Sequence, residues 1–283
     1  MAEPGGELFM HEWMDVTHVP FDALLLLERV QIGWLPKWAG LPRPQLAVAL
    51  RAHPSVEWYL RHKCPEIAPW LDELRARPAA PAAPAARSET ELRQSELSVL
   101  RSLQDLLVYA LDPAAYDAQP LLGWDSSELT GLADFDGATV IDVGAGTGRL
   151  ALTVAPTAQT VYAVEPVAHL RHYLRQKARR LGLDNVYVVD GLITAIPFPP
   201  AFADVTMGGH VYGDDPPAEY RELARVTRPG GLVILCPGTR DVDGPVHTYL
   251  VEQGFQWSRF AEPRDGMFRK YWKRERVKPV LRS

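Results

Sequence analysis

The sequence predicts a doubly wound α/β fold: a mostly parallel seven-stranded sheet with an antiparallel C-terminal hairpin, preceded by a small helical N-terminal domain. Three observations predict it. From Thr139 onward, short apolar runs alternate with helical stretches, the rhythm of a parallel sheet with crossover helices. The last fifty residues break that rhythm with two β-rich runs around turn residues. Ahead of it all, a tract with almost no residue able to bury surface, running RPAAPAAPAARS from Arg77 to Ser88, cuts off a segment whose apolar residues recur at helical spacing.

The segment before the linker, residues 1–76, contains PFDALLLLERV, PQLAVALRAH and PSVEWYLRHK, with prolines at expected helix starts and stops. Five of the eight tryptophans lie there, Trp13, Trp34, Trp38, Trp58 and Trp70, which argues for a packed helical unit against a disordered tail. Residues 77–88 are read as a semi-rigid linker and 89–283 as the α/β domain. Ser88 and Glu91 have capping-box spacing, opening a helix expected to run to about Leu111, and a second short helix is expected over 126–132. The strands are then TVIDV, TVYAV, NVYVV, ADVTM and LVILC, interleaved with helices after Gly148, from Val167 and from Pro216. A helix near 246–253 precedes FQWSRFAE and MFRKYWKRE, the terminal hairpin turning at 263–266.

Composition narrows the function classes. A net charge of -5 and a pI near 5.9 give no global reason to expect a nucleic-acid or acidic-membrane partner. The start carries no cationic region followed by an apolar run, and the longest aliphatic stretch, 23–27, is far short of a membrane span. The expectation is a cytoplasmic protein with no membrane association, and the richness in Ala, Pro and Arg fits a bacterial source. Two distant cysteines, Cys64 and Cys236, suggest neither a disulfide framework nor a thiolate metal site.

The chemistry concentrates where TVIDV meets GAGTGR, setting Asp142, Gly144, Gly146 and Gly148 at a strand-to-helix turn, where open α/β sheets bind ligands. Glycine there permits positive φ and close approach of a ligand to the main chain. A dinucleotide fingerprint asks for a small residue at 149, where this chain has Arg149. Acids end three successive strands, Asp142, Glu165 and Asp190. Three carboxylates around one crevice repel a pyrophosphate but suit a cofactor with an ammonium, a sulfonium, a ribose diol and an adenine amino group. That charge pattern favours S-adenosylmethionine.

The order and spacing of VIDVGAGTGR, VYAVEP, VVDGLITAIPFPPAFADVTM and ELARVTRPGGLVIL resemble the class I (Rossmann-like) S-adenosylmethionine-dependent methyltransferase family, over about residues 139–236. The resemblance implies that Gly144, Ala145 and Gly146 face the methionine part of the cofactor, with Gly148 a further residue of the cofactor-binding turn. Asp142 holds the loop and reaches the ammonium, and Glu165, followed by Pro166, grips the ribose. Asp190 and Gly191 with the Leu192 amide receive the adenine, and Gly208 to His210 line the methyl-donor end. His210 and Tyr212, after the fourth strand, are the candidate groups for deprotonating or orienting a nucleophile. The expected reaction is in-line methyl transfer, with positioning the larger catalytic term, to a small molecule or, second, to a protein or RNA. The helical N-terminal domain, with Tyr116 and Trp124 near the join, is expected to act as a substrate lid or a docking element. The competing readings are a dinucleotide-binding oxidoreductase on the same turn and a non-catalytic cofactor-binding scaffold.

Other groups read as structural. Glu165 could serve only as a helix-start acid, Pro229, Gly230 and Gly231 as a turn, and Asp215, Pro216 and Pro217 as a helix start. Asp215, Pro216 and Pro217 lack the aromatic fourth residue of the base- and amide-methylating signature, having Ala218 there. His11, Glu12, Asp15 and His18 lack zinc-helix spacing, and the pair His62 and Cys64 has no further partner close in sequence, so no metal is expected. The basic run from Arg269 to Arg282 reads as a solvated edge strand and tail, with nucleic-acid contact as the alternative.

Overall fold

The structure, a computed structural model, describes residues 14–76, 88–119, 123–263 and 266–276. The HEWMD start of the histidine and acid cluster up to Trp13, the linker tract 77–87 and the end of the basic tail lie outside the described residues. The chain divides into two compact units, Met1–Tyr116 and Asp117–Ser283.

The first unit is all helical. Short 3-10 turns at Phe21–Leu26, Leu35–Lys37 and Pro65–Ile67 link helices α1 (Arg29–Trp34), α2 (Arg43–Ala52), α3 (Pro54–Lys63) and α4 (Ala68–Ala76). Helices α5 (Glu89–Ser102), α6 (Gln104–Leu111) and α7 (Pro113–Asp117) follow. Prolines sit in the first turns of α2 and α3, where the missing N–H removes no helical bond. Ser88 and Glu91 close the expected capping box, the Glu91 amide donating to Ser88 Oγ and the Ser88 amide to Glu91 Oε2.

Two expectations are corrected here. The helix from Glu89 does not run unbroken to Leu111: it ends at Leu103, whose amide is shared between the carbonyls of Val99 and Leu100 and whose side chain is buried. The boundary between the units lies at 116/117 and not at the linker. Val99, Leu100, Leu103, Leu106 and Leu107 complete the core of Leu24, Leu46 and Leu60, so α5 and α6 bury their apolar face in the helical unit.

The second unit begins with α8 (Ser127–Thr130) and continues β1 (Thr139–Val143), α9 (Arg149–Val154), β2 (Thr160–Val164), α10 (Ala168–Arg180), β3 (Val186–Val189) and β4 (Ala203–Gly208). It closes with α11 (Pro216–Val226), β5 (Thr227–Arg240), α12 (Pro245–Glu252), β6 (Gln256–Glu262) and β7 (Gly266–Arg274). The sheet order is β3-β2-β1-β4-β5-β7-β6; β1 to β5 are parallel and β7 is antiparallel to both neighbours. The predicted fold is thus the observed one. The turn expected at Pro229 to Gly231 lies inside the long β5 run, Gly230 at φ +82°.

Both faces of the sheet are covered, which explains strands that are apolar on both sides. Val140, Val161, Met207, Ile234 and Phe260 pack on one side with Leu150 and Leu174; Ile141, Val143, Val233 and Tyr271 pack on the other with Leu223 and Leu250. Strand alternation puts Asp142 on the same face as Val140, towards α9. Because β1 to β4 run parallel, their carboxyl ends, with Asp142, Glu165, Asp190 and Gly208, share one edge of the sheet.

Candidate active site

The turn after β1 is folded onto the end of β2: the amides of Gly144 and Ala145 both donate to the Val164 carbonyl, at 2.8 and 3.1 Å. It enters α9 through Gly148, whose φ of +91° and tight packing exclude a side chain, since a Cβ there would lie 2.2 Å from Leu174 Cδ1. Asp142 fastens this helix. Its Oδ2 accepts from the Ala151 amide at 2.9 Å, satisfying one of the unpaired donors of the first helical turn from below. The carboxylate is 1% exposed. Burial pushes Asp142 up to about 8; the Ala151 amide opposes the shift, and the nearby Glu165 charge adds to it.

Glu165 is held just as firmly, accepting from the Gly146 amide at 2.9 Å through Oε2 and from the Val167 amide at 2.8 Å through Oε1. It therefore starts α10, as a helix-start acid would, and also clamps the glycine turn. Pro166 contributes no amide to this arrangement, so Val167 supplies it. Burial again dominates and pushes Glu165 up to about 7. Among the described residues the Asp142 carboxylate accepts one hydrogen bond and that of Glu165 two. A carboxylate offers about four acceptor sites, so each acid keeps capacity for further donors.

Asp190, at the end of β3, is exposed and tied by Arg171, whose Nη1 donates to Asp190 Oδ1 at 3.0 Å and to the Glu165 carbonyl at 2.7 Å. Arg171 is a brace that sequence reasoning missed; its position six residues after Glu165, in the first turns of α10, was the available signal. Gly191 has no room for a Cβ, which would lie 2.7 Å from Pro197 Cδ and Val164 Cγ1, and Leu192 turns back through its carbonyl to the Ala195 amide.

The segment after β4 closes on the turn. Val211 lies against both Gly144 and Gly208: a Cβ at Gly144 would stand 2.5 Å from Val211 Cγ2, and one at Gly208 2.7 Å from Val211 Cγ1. These two glycines thus have a packing reason besides any ligand. His210 adopts φ +55°, and its Nε2 lies 3.0 Å from Glu262 Oε1. The Tyr212 hydroxyl donates to the Pro216 carbonyl at 2.8 Å, and burial raises it well above the usual phenol range. Glu219, buried on α11, anchors the same segment by accepting from the amides of Gly213, Asp214 and Asp215. Asp215 caps α11 through the Ala218 amide, the structural role expected of it.

The residues present fit a cationic nucleoside. Two adjacent buried acids with spare acceptor sites, raised by burial even with Arg171 near Glu165, are what an ammonium, a sulfonium and a ribose diol satisfy. Val211 must yield space for it. Two clefts, of about 680 and 470 Å³, lie at the opposite, amino-terminal edge of the strands, lined by Leu232, Arg274 and, in the second, Asp204 among others, and share no residue with this site. Among the described residues no group of three His, Cys, Asp or Glu side chains could hold a metal ion, and no helix is long and apolar enough to cross a membrane.

Comparison with known proteins adds a family match over the same segment. Residues 141–235 match the family described as "Methyltransferase domain". An uncharacterized methyltransferase of Geobacillus sp. (strain WCH70) is 33% identical over 84 residues, 30% of this chain and 38% of that protein. An uncharacterized methyltransferase of Mycobacterium bovis is 32% identical over 103 residues, 36% and 40% of the two chains. The chain thus spans less than half the length of these curated relatives. The crystal structure of a SAM-dependent methyltransferase from Aquifex aeolicus, 22% identical, covers 58% of this chain and 90% of its own with a TM-score of 0.42.

Proposed function

We propose that the chain, whose residues 141–235 match a methyltransferase-domain family, moves a methyl group from S-adenosylmethionine to a nucleophilic atom of a small molecule. One observation carries the reading: the buried pair Asp142 and Glu165, raised by their burial and short of hydrogen bonds, beside a turn of backbone amides. Glu165 would take the ribose hydroxyls on its spare lone pairs, Asp142 would face the positive charge, and Asp190 with Gly191 and Leu192 would receive the adenine. Gly144, Ala145, Gly146 and Gly208 would form the wall nearest the sulfonium.

The cofactor, when bound, supplies an activated methyl group on a good leaving group. The chain's own contribution is then to align the acceptor, exclude water and keep the anionic pocket rigid. Asp142 and Glu165 do the last of these by fastening the starts of α9 and α10 to the turn. A small-molecule acceptor is favoured over RNA by the net charge of -5. A cytoplasmic setting is part of the proposal and is supported by two buried free cysteines, Cys64 and Cys236.

The test is calorimetry with S-adenosylhomocysteine on the full chain and on Glu165→Gln. The substitution keeps one carbonyl acceptor but removes the charge and half the acceptor capacity, so affinity should fall roughly 10- to 100-fold, about 1.4 to 2.7 kcal/mol. No heat with the wild type, or equal affinity in the two proteins, removes the basis of the assignment.

A further inference from the structure

His210 and Glu262 come from distant parts of the chain, the segment after β4 and the last residue of β6, and meet at 3.0 Å. The Glu262 side chain is fully buried, 0% exposed, while that of His210 is 35% exposed. Glu262 Oε1 faces His210 Nε2, and Oε2 has no hydrogen-bond partner among the described residues. A buried carboxylate half unsatisfied costs free energy that a purely structural role does not explain. Its neighbours on the same face, Phe260 and Phe268, are apolar, and the imidazole stands edge-on to Phe268 with ring centroids 5.4 Å apart.

The ring is fixed from its other end too, since the His210 amide donates to the Pro237 carbonyl at 2.9 Å. A carboxylate oxygen only accepts, so Nε2 carries the hydrogen, and in the neutral ring Nδ1 keeps its lone pair. Nδ1 makes no hydrogen bond among the described residues, and Glu262 is the charged group within ion-pair distance of the ring there. The next residue, Val211, touches Gly144 and Gly208, so this lone pair belongs to the loop that covers the glycine turn.

We propose that Glu262 is a positioning residue that orients His210 as general base for a hydroxyl acceptor, an inference that rests on the methyltransferase reading. A neutral amine attacks with a lone pair it already has, whereas a hydroxyl oxygen becomes a strong nucleophile only as its proton leaves. In the step, the hydroxyl proton passes to His210 Nδ1. The oxygen bonds the methyl carbon as that carbon's bond to sulfur breaks with its electron pair left on sulfur. The imidazolium so formed is paired to the buried Glu262 carboxylate and returns its proton to solvent. No other oxidant, reductant or co-reactant is required.

The experiment has two arms on the full chain. In the first, nitrogen-15 NMR of histidine-labelled protein with S-adenosylhomocysteine reads the His210 tautomer, assigned with His210→Asn, a residue that tolerates positive φ. The expected result is hydrogen on Nε2 in the wild type and in Glu262→Gln, with a mixed population in Glu262→Leu. Hydrogen on Nδ1, or a population unchanged in Glu262→Leu, overturns the positioning role.

In the second arm, carbon-13 methyl-labelled S-adenosylmethionine is incubated with a set of phenols and aliphatic alcohols and a set of primary and secondary amines. Expected are methoxy products only, a kcat lowered roughly 10²- to 10⁴-fold in His210→Asn and about 10-fold in Glu262→Gln, and little change in KM for the acceptor. N-methyl products overturn the hydroxyl assignment and leave the methyltransferase reading standing. Absence of any cofactor binding by calorimetry counts against that reading itself, and the tautomer arm still decides the dyad.

Discussion

Substituting asparagine for Asp142 isolates the electrostatics of the glycine turn. Asp142 is raised by burial from 3.8 to about 8, and Glu165, likewise by burial, from 4.5 to about 7. Each is therefore protonated in the folded chain over a range in which it is ionised in the unfolded one. The folded state binds more protons there, so stability falls as pH rises, by about 1.36 kcal/mol per unit for each group. Between pH 5 and pH 7 the Asp142 share is about 2.7 kcal/mol, with Glu165 adding a contribution of the same sign and smaller size. In Asp142→Asn the amide oxygen can still accept from Ala151, while the titrating proton is gone. The loss of stability over that range should fall to roughly half. Urea titrations at several pH values, read from the methyl resonances of Val140 and Ile141, report the unit that carries β1 without interference from the helical unit. Other titrating groups contribute alike to both proteins and cancel in the comparison. An identical pH slope in the two proteins, or stability that rises with pH in the wild type over this window, would refute the account of two acids raised by burial.

The same acids predict that the cofactor binds their ionised forms. At pH 6, S-adenosylhomocysteine binding should release protons, dwindling above about pH 8, and calorimetry in buffers of different ionisation enthalpy counts them. Proton uptake at pH 6 would contradict this. Gly148→Ala places a methyl group 2.2 Å from Leu174 Cδ1 at φ +91° and should lower stability by roughly 1 to 3 kcal/mol, read as a drop in Tm. A Tm within a degree of wild type would show that the turn is not constrained there. Val211→Ala removes the methyl groups packed on Gly144 and Gly208. Stability should fall by about 1 kcal/mol while S-adenosylhomocysteine binds several-fold tighter, and weaker binding would mean that Val211 is part of the pocket wall and not its occupant.

What was legible in the sequence is what local physics determines. The run from TVIDV to Gly148 is a strand, a turn and a helix start within ten residues, and the side-chain period of the strand alone assigns Asp142 to the face of α9. The capping box at Ser88 and the cap at Asp215 were legible for the same reason. The domain boundary was not, because proline and alanine content marks where a chain is unpacked, whereas α5 and α6 were assigned by which core Leu100 and Leu107 complete. The partner of Tyr212 was not legible, because a position after β4 says nothing of the Pro216 carbonyl that takes its hydroxyl.

The acceptor end lies furthest from such local reasoning, and topology explains why. His210 and Glu262 are 52 positions apart and meet only because β7 is inserted antiparallel between β5 and β6. That insertion returns the end of β6 to the edge of the sheet where the parallel strands also end. Had β6 paired parallel to β5, Glu262 would still stand at the carboxyl end of its strand, but one strand nearer and with no Phe268 beside the imidazole. Nothing in FQWSRFAE distinguishes these arrangements, since both need the same alternation. The glycine turn can therefore be read one strand at a time, while the proposed His210–Glu262 dyad is fixed by the order of strands. Variation in that hairpin is accordingly where a change of acceptor chemistry should be sought, with Asp142 and Glu165 left in place.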